Sequence, residues 1–257
     1  MNEERISFSE LKIWNECPYK HKLVYIDGLS HFSGNEHTSF GTAIHYVCEK
    51  KIQDASLDEK ELFCNKFEEE LASLNDTELN KDLIAEMKAQ GLALCTKILP
   101  ELEKYFGSYE LIAVEEALME PIDEFESYNK KFKGFIDLVI KTTDEKYHII
   151  DWKTCSWGWP ARRKQDPMTT SQLTYYKKYF CKKYNIHLQS AETYFALIKR
   201  TAAKENIEFF KVTSGDKKIN NSLNFLKKAV INIHKGNYIK NRLSCRNCSF
   251  YKTEECP

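Results

Sequence analysis

Asp151, Trp152 and Lys153 close the apolar run His148-Ile149-Ile150, and Asp137 stands inside a second run, Phe135 to Ile140. Alternation along a strand sends Asp151 and Lys153 to one face and Trp152 to the other. Pairing the two runs would bring both carboxylates to one edge. Two acidic oxygens suit a hard divalent cation such as Mg2+, which takes oxygen ligands and keeps waters. A lysine on the same face can orient or activate a water and offset negative charge building up on a phosphate. Taken alone, a D-x-K tripeptide is as readily a surface ion pair at a strand end, so its meaning depends on what accompanies it.

Three further features accompany it. Phe40-Gly41-Thr42-Ala43-Ile44-His45 sits in a helical pattern with Val47 and Cys48, which stacks Gly41 and His45 one turn apart. A neutral imidazole there could complete a metal site, and the glycine would let backbone or DNA come close. In Gln172-Leu173-Thr174-Tyr175-Tyr176, Gln172 and Tyr176 share a helical face. Both side chains can hydrogen-bond a phosphate or hold the lysine. Glu115 and Glu116 lie on an earlier strand, where only one of them can face a site. A lone histidine or tyrosine is more often ordinary packing, and the ordered series is what carries weight.

That series, His45, Asp137, Asp151-x-Lys153 and Gln172 with Tyr175 or Tyr176, resembles the PD-(D/E)XK nuclease superfamily and looks most like its RecB-like and CRISPR-associated exonuclease branch. The cysteines at both ends belong to the resemblance: Cys17-Pro18 early, Cys245-Arg246-Asn247-Cys248 and Cys256-Pro257 late. The resemblance implies that Cys17, Cys245, Cys248 and Cys256 hold a [4Fe-4S] cluster stapling the two ends. It also implies an α/β restriction-endonuclease-like core, a mixed central sheet flanked by helices, with an N-terminal helical region. The implied activity is that of a DNA exonuclease dependent on Mg2+ or Mn2+, acting on single-stranded DNA or DNA ends in recombination, repair or replication. Asp137 and Asp151 would be the metal ligands, joined by His45 and the carbonyl of Trp152. Lys153 would position water or stabilise the transition state, and Gln172 with Tyr176 or Tyr175 would steer the DNA end or the lysine. The family often has an acid on the earlier strand that can support the metal, here Glu115 or Glu116, but a solvent-facing glutamate is an equal reading and neither is counted in the site. A helicase, recombinase or CRISPR adaptation partner is compatible with all of this.

Cysteine chemistry reaches a related conclusion independently. A C-x-x-C pair supplies two thiolates from one turn, to zinc or to an iron-sulfur cluster. Spacing leaves zinc as the alternative, and with it a second reading of the whole chain as a non-catalytic nucleic-acid-binding or adaptor protein with a structural metal site. Cys48, Cys64, Cys95, Cys155 and Cys181 read as buried thiols, the usual fate of free cysteine. Nine cysteines is an odd count and no signal peptide precedes them, so the expected compartment is a reducing cytoplasm.

The elements that must position these residues follow from composition and period. With 257 residues and 42% hydrophobic content the chain can bury a core as one domain, and no apolar run reaches membrane-spanning length. Charged residues cancel to a formal net charge of zero, so DNA contact must come from local patches. Trp157, Trp159, Arg162, Arg163 and Lys164 form one such candidate, in which aromatic faces could stack bases while cations meet phosphates. Ser7-Phe8-Ser9-Glu10 predicts a capping box opening a helix through Leu11 and Trp14. Helical periods follow at about 38–53, 57–74 and 79–106, the stretch 57–106 reading as a helical insertion. Strands are predicted near 109–119, 131–141, 146–153, 190–199 and 206–212, with the Gln172 helix between them, a helix over about 216–235, and a cysteine cluster over 245–257.

Overall fold

The structure, a computed structural model, describes residues 4–30, 34–74, 78–123 and 130–257. Its contacts divide the chain into two compact units: Ser33–Ala117 with Phe135–Thr213, and Met1–Phe32 with Leu118–Gly134 and Ser214–Pro257. Strands β2 (Tyr109–Pro121) and β3 (Lys130–Thr142) run through the boundary and pair with each other.

The larger unit is a mixed sheet with helices against it. Strand β3 pairs antiparallel with β4 (Tyr147–Cys155), β4 parallel with β5 (Ala191–Lys199), and β5 antiparallel with β6 (Ile207–Lys211). On one face Leu138, Ile140, Ile150, Trp152, Tyr194, Ala196 and Ile198 are buried with residues of α3 (Glu36–Gln53), α4 (Glu59–Ala72) and α5 (Lys81–Phe106). Strand alternation therefore sends Asp137, Asp151 and Lys153 to the opposite face. Helix α7 (Pro167–Tyr184), preceded by the short α6 (Ala161–Gln165), packs on that side against β4 and β5.

Local signals explain where these helices begin and how closely they approach. Asn35 and Thr38 form a reciprocal capping box at the start of α3, Asp58 caps α4, and Asn80 caps α5. Gly91 of α5 lies against the ring of Phe63, where an added Cβ would sit 2.1 Å from Cζ. Gly41 brings α3 close to β4, a Cβ there meeting Thr154 Oγ1 at 3.3 Å. The helices match the spacing-based expectation to within two residues at each end; residues 75–77 of the expected insertion lie outside the described residues.

In the smaller unit, β1 (Glu4–Ser7) pairs parallel with β3 from Glu4↔Lys130 to Ser7↔Lys133. The sequence reading has no strand there, because Ile6 is its single apolar side chain. Ser7 then caps α1 (Phe8–Glu16), its Oγ accepting from Glu10 N–H at 3.2 Å. The reciprocal half of the expected capping box is replaced: the Glu10 carboxylate lies 2.8 Å from His21 Nε2 instead. Pro18 restarts the chain as α2 (Pro18–His21), and α8 (Asp216–His234) packs on α1 through Trp14 and Phe225, whose rings meet edge to face at 5.6 Å. Among the described residues, no helix is long and apolar enough to cross a membrane.

Candidate active site

The β3–β4 ladder ends at Leu138↔Ile150, so Asp137 and Asp151 would be the next facing pair. In place of a ladder bond, the Asp137 side chain caps the freed backbone, its Oδ2 accepting from Trp152 N–H at 2.6 Å. His45, on α3, brings Nδ1 to 3.5 Å from the same oxygen. Asp151 is almost wholly buried. Its Oδ1 accepts from Gln172 Nε2 at 2.9 Å and its Oδ2 is ion-paired with the Lys153 ammonium. Gln172 also donates to Tyr176 OH at 3.1 Å, so the i, i+4 pair on α7 acts as one brace against Asp151. Tyr175, the other sequence candidate, is fully buried, and the hydroxyl bonded to Gln172 belongs to Tyr176.

The electrostatics follow from crowding. Burial and the neighbouring Asp151 push Asp137 well above the ordinary carboxylate range, Glu115 adds to this, and Lys153 with the Trp152 N–H only partly offsets it. Burial works against the Lys153 ammonium, yet Asp151 and Asp137 outweigh that and hold its pKa above the usual lysine value. Burial and Lys153 together lower His45, against the pull of Asp151 and a hydrogen bond to the Trp152 backbone, which leaves the imidazole neutral near pH 7.

Glu115 and Glu116 separate clearly. Glu115 has φ +50°, a left-handed residue inside a strand. Burial, Glu49 and Asp151 raise its pKa, so its carboxylate shares the acidic field of the site. Glu116 is occupied elsewhere, accepting from Lys183 Nζ at 2.6 Å and Tyr184 OH at 2.7 Å. Strand alternation could not make this choice, since the left-handed residue breaks it. Glu49, one turn beyond His45 and ion-paired with Lys50, is the other acid acting on Glu115, and the sequence reading did not single it out.

The donor chemistry suits a hard divalent cation: the oxygens of Asp137 and Asp151 crowd around one ammonium, and the raised pKa of Asp137 reflects a site in which a second positive charge would favour its ionised form. Among the described residues no three His, Cys, Asp or Glu side chains stand in an arrangement that could hold a metal ion. His45 is thus near the carboxylates without forming a ligand set with them.

All nine cysteines are thiols. Cys17, Cys245, Cys248 and Cys256 line one cavity of about 50 Å³ together with Tyr19, Leu23 and Phe250. Cys17 Sγ accepts from Asn241 N–H at 3.3 Å, and Asn241 Nδ2 donates to Glu16 O at 2.8 Å. Tyr19 OH donates to Glu255 O at 3.0 Å, so hydrogen bonds already tie the early and late cysteine segments. All four cysteines line this cavity, but among the described residues no three of them form a ligating group as they stand. Cys48, Cys95 and Cys181 are buried as expected, while Cys64 and Cys155 are half-buried.

The tryptophan and basic stretch splits. Trp157 is 76% exposed and Arg162 and Arg163 are exposed. Trp159 is buried against Phe195, its ring covered by the Arg163 guanidinium at 4.2 Å, and Lys164 is ion-paired with Glu208. A stacking role for Trp159 does not fit this packing, whereas Trp157, Arg162 and Arg163 remain available. Arg163 also acts on Lys153 electrostatically.

A solved structure, that of a protein from Eubacterium rectale named as a presumed exonuclease, is similar to this chain with a TM-score of 0.60 at 12% identity, covering 96% of this chain and 87% of that one. That likeness concerns the fold. The structure of SSO0001 aligns over 97% of this chain and 85% of that one at 13% identity, with a TM-score of 0.43. No curated protein matches the chain. The family model of the PD-(D/E)XK nuclease superfamily matches residues 5–253, a span that takes in His45, both aspartates, Lys153 and the Gln172 helix. With those side chains gathered at the splayed end of β3 and β4 and the match running over nearly the whole sequence, the chain belongs to the PD-(D/E)XK nuclease superfamily.

Proposed function

We propose that the chain is a Mg2+- or Mn2+-dependent deoxyribonuclease, an exonuclease acting on single-stranded DNA or DNA ends in recombination, repair or replication. The observation that carries the reading is the pairing of half-buried Asp137 with buried Asp151, with Lys153 ion-paired to Asp151 and Gln172 bonded to it. Asp137 and Asp151, with His45 and the Trp152 carbonyl, are the groups that would hold the cation. When bound, such a cation lowers the pKa of a water and screens the scissile phosphate. Lys153, kept protonated by its two acidic neighbours, serves as a donor to the charge that develops on the phosphate rather than as a base. Gln172 and Tyr176 fix the rotamer of Asp151, and the neutral His45 keeps a lone pair for a ligand. Trp157, Arg162 and Arg163 are the candidate DNA contacts beside this site.

The same reading assigns Cys17, Cys245, Cys248 and Cys256 to a [4Fe-4S] cluster, with zinc as the alternative occupant; that all four line one cavity supports it. Such a group would cross-link the two ends of the chain, and nothing in the reading asks it to carry electrons. We take residues 1–257 as one nuclease domain with an insertion at 57–106, working in the cytoplasm, with any unwinding supplied by a helicase, recombinase or CRISPR adaptation partner. End-labelled single- and double-stranded DNA, incubated with Mg2+, with Mn2+ and with chelator, tests the activity. Cation-dependent release from the ends is expected, lost in Asp151→Asn, with circular single strands resistant. Absence of cleavage with either cation, or a wild-type rate in Asp151→Asn, would sink it.

A further inference from the structure

The formal charge of the chain is zero, but it is not evenly spread. From Lys217 to Thr253 there are seven lysines and two arginines and not one aspartate or glutamate. This stretch comprises nearly all of α8 and the cysteine-bearing turns after it, and it lies wholly in the smaller unit.

Helix α8 sorts these residues by face. Ile219, Ser222, Leu226, Ala229 and Val230 are its buried positions. Lys217, Asn221, Asn224, Lys228 and Lys235, spaced 4, 3, 4 and 7 apart, fall on the opposite side of a 3.6-residue period and are exposed. Among the described residues Lys217, Lys227, Lys228 and Lys235 form no ion pair, although most lysines of the helical layer α3 to α5 do. Beyond the helix, Lys240, Arg242, Arg246 and Lys252 are exposed as well. Solvated lysines usually alternate with acids on a surface helix, because like charges one turn apart repel. A stripe of cations and amides with no acid is the composition that phosphate contacts use, lysine for charge and asparagine for hydrogen bonds. A 19-residue helix is about 28 Å long, the span of roughly eight nucleotides of one strand.

We propose that the outer stripe of α8, Lys217, Asn221, Asn224, Lys228 and Lys235, is a docking surface for the phosphate backbone of DNA, read without regard to sequence. The proposal rests on DNA being the substrate, and it adds a second place where the strand is held. It bears on how a chain of zero net charge retains a polyanion: cations without intervening acids are gathered on one helix and its continuation.

The test is binding of a fluorescent 30-nucleotide single strand by anisotropy in EDTA, from 50 to 300 mM salt. The wild type is compared with the triple variant Lys217→Ala, Lys228→Ala, Lys235→Ala and with a control triple, Lys60→Ala, Lys81→Ala, Lys104→Ala, taken from exposed positions of α4 and α5. All three replaced α8 residues are exposed, and an unchanged circular-dichroism melt verifies that the fold is intact. Each phosphate contact with a single strand contributes about 0.7 to the slope of log affinity against log salt, so the slope should shrink by roughly 2 in the α8 variant and not in the control. At low salt its affinity should fall about 10- to 100-fold. Hydrolysis of a short oligonucleotide at saturating concentration should proceed at the wild-type rate. An α8 variant that binds with wild-type affinity and slope overturns the proposal, as does one whose lost binding is to anionic vesicles while DNA binding persists. A wild type that binds DNA through these lysines yet shows no cation-dependent cleavage would instead overturn the nuclease reading and leave the docking surface standing.

Discussion

Asp137 is the residue on which protons and a cation would compete. Its pKa in the fold is raised well above the ordinary carboxylate value, so between those two values the native state binds more protons than the unfolded chain. Stability then falls as pH rises through that window. A divalent cation favours the ionised form and reverses the effect. Thermal melts in chelator should therefore show Tm falling from pH 5 to pH 7.5, with added Mg2+ raising Tm more at the higher pH; in Asp137→Asn both responses should flatten. A wild type whose Mg2+ effect is the same at both pH values would contradict this account. Gln172 offers a test that separates position from charge. Gln172→Leu leaves Asp151 Oδ1 buried without its donor, at a cost of about 1–3 kcal/mol, and should lower kcat about tenfold or more while KM for DNA changes little. A kcat equal to wild type would remove Gln172 from the machinery. At this scale part was legible: the periods 2 and 3.6 put Asp151 and Lys153 on one strand face and Gln172 and Tyr176 on one helix face, but the resemblance joined them into a set and left Tyr175 or Tyr176 open until the Gln172 bond was seen. The choice of Glu115 over Glu116 was not legible, because a left-handed backbone residue overrides alternation. Nor was the burial of Trp159 beside the exposed Trp157, because loop side chains obey no period.

Among the elements, the contact of α4 with α5 is the most exacting. Alanine at position 91 would gain about 1 kcal/mol of helix propensity. Its Cβ would, however, stand 2.1 Å from the Phe63 ring, which is fully buried and cannot swing into solvent. Relieving such overlap costs about 1–3 kcal/mol, so Gly91→Ala should be destabilising on balance, by roughly 1 kcal/mol and a Tm loss of about 2–4 °C. A raised Tm would mean that α4 and α5 separate at little cost. The long helices and β3 to β6 were visible in the sequence because each carries several turns or alternations of apolar residues. Strand β1 was not, since four residues with one apolar side chain look like a leader to α1; it is a strand only through pairing with β3.

At the scale of the whole molecule, the cysteine cavity and the nuclease constellation belong to different compact units. If Cys17, Cys245, Cys248 and Cys256 bind a cluster, anaerobically purified protein should contain about four irons per chain with equal sulfide. Cys248→Ala should be colourless and melt at lower temperature, whereas Cys155→Ala and Cys181→Ala should keep their colour. Stoichiometric zinc without sulfide would replace the cluster and leave the aspartates untouched. The order of segments has a further outcome during synthesis. The larger unit is complete once residue 213 has been made, but the smaller one is built from the beginning, the middle and the last 44 residues of the sequence. At about 5–20 residues per second, a ribosome takes roughly 2–9 s to add that last stretch. Throughout that interval the segments that carry Asp137, Asp151 and Lys153 have already been made, while the partners of Cys17 and α1 are still to come. A nascent polypeptide therefore acquires the elements of its cutting centre before it acquires α8, the surface proposed to hold DNA.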